Sequence, residues 1–314
     1  MTIHNGLRGV PVLLALLLSF AAQAQIYRAY LSGEGADTNP CTLPSPCRLL
    51  PAALAAVTSG GEIWILDSAN FNTGPVVITK SVSIVAVTGA LGSFVALGGP
   101  ALIIPGGSGI KVALRNVVVT RFTGPGTNGI QMTGGDASLL IEHSLLADLP
   151  QNAVMATGAG ARVEIADSTI RGSGVYGVYI AEGASANIAA TRMLNNAQGG
   201  VHARSETAAD TVVTVSDSTI SHSLEGVYAT AWVAGAKSRI VLTRCTIQDV
   251  TSALHADTTG VGSAIVAASG TLVTNSTSVW YQGGTGAVVR SLGNNHFTEN
   301  NGSPQGTLTT TPPQ

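Results

Sequence analysis

Charge is scarce in this chain. Only 10% of its 314 residues are Asp, Glu, Lys or Arg, against about a quarter in an ordinary globular protein. The formal net charge of −2 leaves no basic footprint for nucleic acid or for an anionic membrane surface. Aromatic residues make up 4%, so any place where rings gather stands out. Three cysteines allow at most one internal disulfide. No two aspartates are adjacent, and Lys111 and Lys237 have no acidic cluster beside them. Apolar runs are short: after the first two dozen residues none approaches the roughly 20 needed to span a bilayer as a helix. The C-terminal part also lacks the run of amphipathic strands from which a membrane barrel is built.

In place of charge there is repetition. The stretch 161–180, ARVEIADSTIRGSGVYGVYI, reads as a strand, a bend at Ala166-Asp167, a small residue at Ser168 and a glycine-rich corner. A second strand follows at Val178-Tyr179-Ile180. With period two, Val163, Ile165, Ile170, Val178 and Ile180 share one side. Some twenty residues cannot bury that side alone. The position of Ile165 is held elsewhere by Leu114, Ile141, Ile188, Val215 and Leu242, and that of Ile170 by Val119, Leu146, Met193, Ile220 and Ile247. A third anchor follows a small residue at Ile130, Val154, Val178, Val201, Val227 and Leu254. Successive copies lie 23 to 27 residues apart, and the length varies only in Gly/Asn/Ser-rich corners. Three anchors per two dozen residues predict a coil that stacks on its neighbours, a parallel β-solenoid.

The cores IEHSLL, IADSTI, VSDSTI and LTRCTI, each followed by a Gly-Val or Ala-Leu step, resemble the right-handed parallel β-helix (pectin lyase-like) superfamily. The resemblance implies an all-β right-handed parallel β-helix over most of the chain. It implies little about activity, because that superfamily includes lyases, hydrolases, epimerases, tail-spike proteins and proteins without catalysis. Its calcium-dependent lyases cluster acidic residues with a basic residue on one sheet, and its hydrolases carry closely spaced aspartates. Neither constellation is present here.

The ends of the chain read differently. Arg8, the apolar run Val10–Phe20 and Ala22-Gln23-Ala24 predict an export signal over residues 1–24, which places the mature protein outside the cell, in a periplasm or on a surface. Residues 25–62 are expected to form a disulfide loop and a capping helix. Leu49, Leu50, Ala53, Leu54 and Val57 lie at helical spacing and Gly60-Gly61 ends the run. Such a helix would cover the first coil and block end-to-end association. Residues 63–297 are assigned to the β-helix and 298–314 to a mobile tail without periodic apolar residues. In an exported chain, Cys41 and Cys47 around the loop CTLPSPC predict a disulfide. Cys245 sits in a column of small residues, Val117, Ser144, Ser168, Thr191, Ser218, Cys245 and Ser276, and reads as a buried packing side chain.

Stacking at about 4.8 Å per coil turns sequence columns into lines in space. Asp148 and Asp249 fall four coils apart, about 19 Å, which is too far for a carboxylate pair. Asp167 and Asp217 lie two coils apart, about 10 Å, and are weak catalytic candidates at best. They read more readily as solvated bend residues, because the same tetrapeptide recurs as a structural repeat. The outward position after the third anchor is Gln131, Met155, Tyr179, His202, Tyr228 and His255 on successive coils. Tyr179, His202, Tyr228 and His255 are therefore the candidate ligand-binding residues, a stripe suited to sugar rings and a polymer, with structural ring stacking as its bland alternative. His202 and His255 are two coils apart and cannot share an ion, so neither metal nor cofactor is expected. The expected function is that of an exported, non-catalytic β-helix that binds a polysaccharide or cell-surface glycan or serves as a structural module. The alternative is a polysaccharide lyase, hydrolase or epimerase acting on an extended glycan.

Overall fold

The computed structural model describes residues 25–107 and 109–311. The expected export signal at residues 1–24 lies outside them. Two parallel sheets run the length of a solenoid. One has 12 strands, from Ile26–Leu31 at one edge to Thr309–Thr310 at the other, and the second has 17. In the second sheet two ladders lie side by side. They merge where Thr219–Ala231 and Thr246–Thr258 run through a corner that is glycine-rich in earlier coils.

Sequence columns are spatial columns. Leu114, Ile141, Ile165, Ile188, Val215 and Leu242 pair strand to strand in unbroken register, and all are buried in one continuous apolar cluster. The second anchors, Val119 to Ile247, do the same. Each such side chain stabilises the stack by about 1.5–3 kcal/mol when fully buried, and alternation along Arg162–Ala166 keeps Arg162 and Glu164 outside.

The bends are built by hydroxyl groups. Ser168 Oγ donates to the Ala166 carbonyl (2.7 Å) and accepts from the Ser144 amide of the preceding coil (3.1 Å). Ser144 and Ser218 repeat the device. Cys245 stands in the same column, buried, with its thiol near the Val215 and Thr243 carbonyls. Its successor is Thr271 rather than Ser276, because Thr246 pairs with Leu272. Ser276 belongs one corner later, where its hydroxyl faces the Val250 amide.

Both ends depart from the expected limits. The sole helix among the described residues, Leu50–Ala56, buries Leu50, Ala53 and Leu54 and packs on the two strands at the N-terminal edge, as a cap does. It ends at Ala56, before Gly60-Gly61, because Val57 is already extended (φ −79°, ψ 145°). The strand Val57–Ile65 then runs through both glycines. Ile26–Leu31 precedes the helix, pairs in parallel with Val57–Ile65 and forms the first rung, so the solenoid begins well before residue 63. Cys41 and Cys47 are disulfide-bonded in the intervening loop. At the far end Thr309–Thr310 pairs with Arg290 and Ser291, and Gln305 bridges to Tyr281. The segment expected to be mobile is thus laid onto the last coil. A sheet edge offers unpaired amides and carbonyls, and main-chain pairing with them requires no apolar periodicity.

Candidate functional site

Because Val178 and Ile180 face the interior and are buried, Tyr179 between them faces outward, as alternation on a strand demands. Register carries this position along the sheet from Gln131 and Met155 to Tyr179, His202, Tyr228, His255 and Tyr281. The last five form an unbroken line of rings. Centroids are 5.3 Å apart for Tyr179 and His202, 4.6 Å for His202 and Tyr228, 4.2 Å for Tyr228 and His255, and 4.5 Å for His255 and Tyr281. All four candidate ligand-binding residues therefore meet in space, and the stripe extends one coil beyond the four read from the sequence.

Two further columns flank the stripe. On one side Tyr176, Gly199, Glu225, Ser252 and Ser278 share register. A Cβ at Gly199 would meet Glu225 at 3.0 Å and Tyr176 at 3.1 Å, so glycine there lets the Tyr176 ring lie 4.7 Å from His202. On the other side Ala181, Arg204, Thr230, Asp257 and Gly283 are neighbours. Arg204 donates to the Tyr179 hydroxyl (3.1 Å), pairs with Glu206 and lies over the Trp232 ring at 4.8 Å. Tyr176, Glu225 and Tyr281 escape a reading based on the anchor columns. Tyr176 and Glu225 lie in corners of unequal length, and Tyr281 follows Trp280, which breaks the small-then-aliphatic pattern at the third anchor.

The rings are not equally open. His202 is 6% exposed and its Nε2 lies 3.0 Å from the Thr230 hydroxyl. Burial, then the nearby Arg204 and His255, push its pKa down to about 3. Burial also pushes the Tyr176 phenol up to about 12 and raises those of Tyr179 and Tyr228, so these three hydroxyls and the His202 imidazole are neutral. Tyr179, Tyr228, His255 and Tyr281 keep partly open edges. Beyond His255 lies a cavity of about 330 Å³ bounded by Glu225, Ser252, His255, Tyr281 and the C-terminal residues Ser303 and Gln305. His255 Nδ1 is 3.0 Å from Glu225 Oε2, and neither atom makes a hydrogen bond.

The two candidate aspartates part company. Both occupy the bend column at positive φ, Asp167 at 48° and Asp217 at 51°, with Ala190 between them. Asp217 is tied to Arg244 by two hydrogen bonds of 2.7 Å, which hold its carboxyl below the ordinary aspartate value. Asp167 instead lines an open groove of about 610 Å³ with His143, Arg171 and Arg192. Of these, Arg171 is paired with Asp148 at 3.2 Å. Asp249 binds Gln248 at 3.1 Å and Asn275, with His222 3.7 Å away. No group of three or more His, Cys, Asp or Glu among the described residues is placed to hold a metal ion.

A family model described as the right handed beta helix region matches residues 98–237. The chain is a right-handed parallel β-helix of the pectin lyase-like fold. Among solved structures this β-helix is similar to a pectate lyase at 12% identity, with a TM-score of 0.66 over 91% of this chain and 80% of that one. It is similar to the polygalacturonase of Erwinia carotovora ssp. carotovora at 9% identity, with a TM-score of 0.61 over 93% and 97%. The xylose complex of XylC aligns at 8% identity, with a TM-score of 0.65 over 86% and 70%. Among curated proteins none matches the sequence. At these identities the likeness is one of fold. No helix among the described residues is long and apolar enough to cross a membrane.

Proposed function

We propose that this β-helix is an exported, non-catalytic module that binds a glycan chain along the stripe Tyr179, His202, Tyr228, His255 and Tyr281. The observation that carries this reading is the unbroken line of five rings, four of them with partly open edges, in a chain where aromatics are only 4% of residues. The ring faces are taken up by one another, and the open phenol and imidazole edges can meet the hydroxyl and C–H groups of sugars. The spacing of one coil per ring suits an extended polymer. The Cys41–Cys47 disulfide favours export, since such bonds persist in oxidising compartments. Titration calorimetry with neutral glycan hexamers tests the reading. Tyr179→Ala and Tyr228→Ala should each weaken binding by about 1 kcal/mol, roughly fivefold. Unchanged affinity in both variants removes it.

One observation favours a catalytic second reading, a polysaccharide lyase or hydrolase site in the groove that holds Asp167, His143 and Arg192. On the binding reading, the same hexamers show neither new reducing ends nor unsaturated ends after prolonged incubation. Product that disappears in Asp167→Asn would establish the catalytic reading instead.

A further inference from the structure

We propose that the cavity at the end of the stripe takes the ammonium group of a 2-amino sugar, which makes an amino-sugar polymer, rather than a polyuronate, the glycan this face selects. The inference rests on the stripe reading and names the class of its ligand. Glu225 Oε2 and His255 Nδ1 lie 3.0 Å apart at this cavity without a hydrogen bond between them, and His255 Nε2 and Ser252 Oγ are buried beside them without a partner. Buried polar atoms are almost always satisfied, so such a concentration at one concave place marks where a ligand's donors and acceptors belong. The Glu225 side chain is 20% exposed and that of His255 is 14% exposed, so a guest there is largely withdrawn from water.

The chemistry of the lining selects the guest. Glu225 is the only residue of fixed charge type in the lining, with no Lys or Arg beside it. Neighbouring rings of His255 and Tyr281 stand 4.5 Å apart. An ammonium group would meet the Glu225 carboxylate in a charge-assisted hydrogen bond and the Tyr281 ring as a cation over an aromatic face. A uronate would bring a second carboxylate beside Glu225 in a lining without Lys or Arg, which is repulsive at low dielectric. Asp257, in the flanking column one coil over from Thr230, adds to the negative field. Arg204, the cation of this face, is already engaged by Tyr179, Glu206 and Trp232.

Four 1,4-linked hexamers separate the outcomes: β-linked glucosamine, N-acetylglucosamine and glucose, and α-linked galacturonate. Calorimetry on the full mature chain at neutral pH should give glucosamine at least tenfold tighter binding than glucose, with galacturonate weakest. Glu225→Gln should abolish that preference, with an unchanged circular dichroism spectrum and thermal midpoint showing the variant to be folded. Glu225→Asp, keeping the charge on a shorter arm, should retain part of it. Galacturonate binding as tightly as glucosamine, or a preference that survives Glu225→Gln, overturns the proposal. If glucose binds and is weakened by Tyr179→Ala but glucosamine gains nothing, the stripe stands and this inference falls. If no hexamer binds, both fall.

Discussion

His202 is enclosed by Tyr176, Tyr179 and Tyr228, and this gives the protein a pH dependence with a definite sign. An unfolded histidine takes up a proton near 6.5, whereas the folded one does so at about 3. Below pH 6.5 the unfolded chain therefore binds the extra proton, and stability falls as pH falls until the folded value is reached. Between pH 7 and 5 the loss should be about 2 kcal/mol. Urea unfolding at the two pH values checks this: wild type should show the loss and His202→Asn should not. Equal pH sensitivity in both proteins would place its origin elsewhere. The outward direction of His202 is legible in the sequence, because Val201 and Ala203 beside it are apolar or small. Its burial is not, because the rings that cover it come from other coils and from a corner residue, Tyr176.

At the bend after its first strand each of six successive coils places one residue in the left-handed region. In the bend column these are Asn116, His143, Asp167, Ala190, Asp217 and Arg244, all with φ near +50°. A side chain costs about 1–2 kcal/mol there, and Asn and Asp bear it best. Ala190 is the one member without a polar or long side chain, and it is exposed. Ala190→Asn should therefore raise stability by about 0.5–1 kcal/mol, read as a higher thermal midpoint. A lower midpoint would show that Ala190 is held there by packing. The recurring Asp in DSTI is explained by this geometry, with the following hydroxyl closing the bend. That accounts for the paired candidates Asp167 and Asp217 without catalysis. Their shared column was readable from spacing. Only side-chain geometry separates Asp217, locked by Arg244, from Asp167, which faces a groove.

At the scale of the molecule, a solenoid has two ends where main-chain groups stand unpaired, and this one closes them differently. The helix Leu50–Ala56 packs at the N-terminal end. The C-terminal segment lies along the last coil, with Asn300 Oδ1 accepting from the Ser276 amide at 3.0 Å and Thr309–Thr310 pairing with Arg290 and Ser291. Hydrogen exchange should find the amides of Gln305 and Thr311, which donate to Trp280 and Ser291, slowed well beyond free-peptide rates. Free-peptide exchange at both would restore the mobile tail read from composition. The sequence by itself determined the coil, its period, its buried columns, the disulfide and the line of outward rings. All of these are periodic or local, and stacking converts periodicity directly into contact. Only the tertiary structure decided that the first rung precedes the helix, that the tail is paired, and that Glu225, His255, Tyr281 and Ser303 close around one cavity. Those groups come from corners of unequal length and from a sheet edge that recruits main chain without regard to side chain, and no repeat in the text records either.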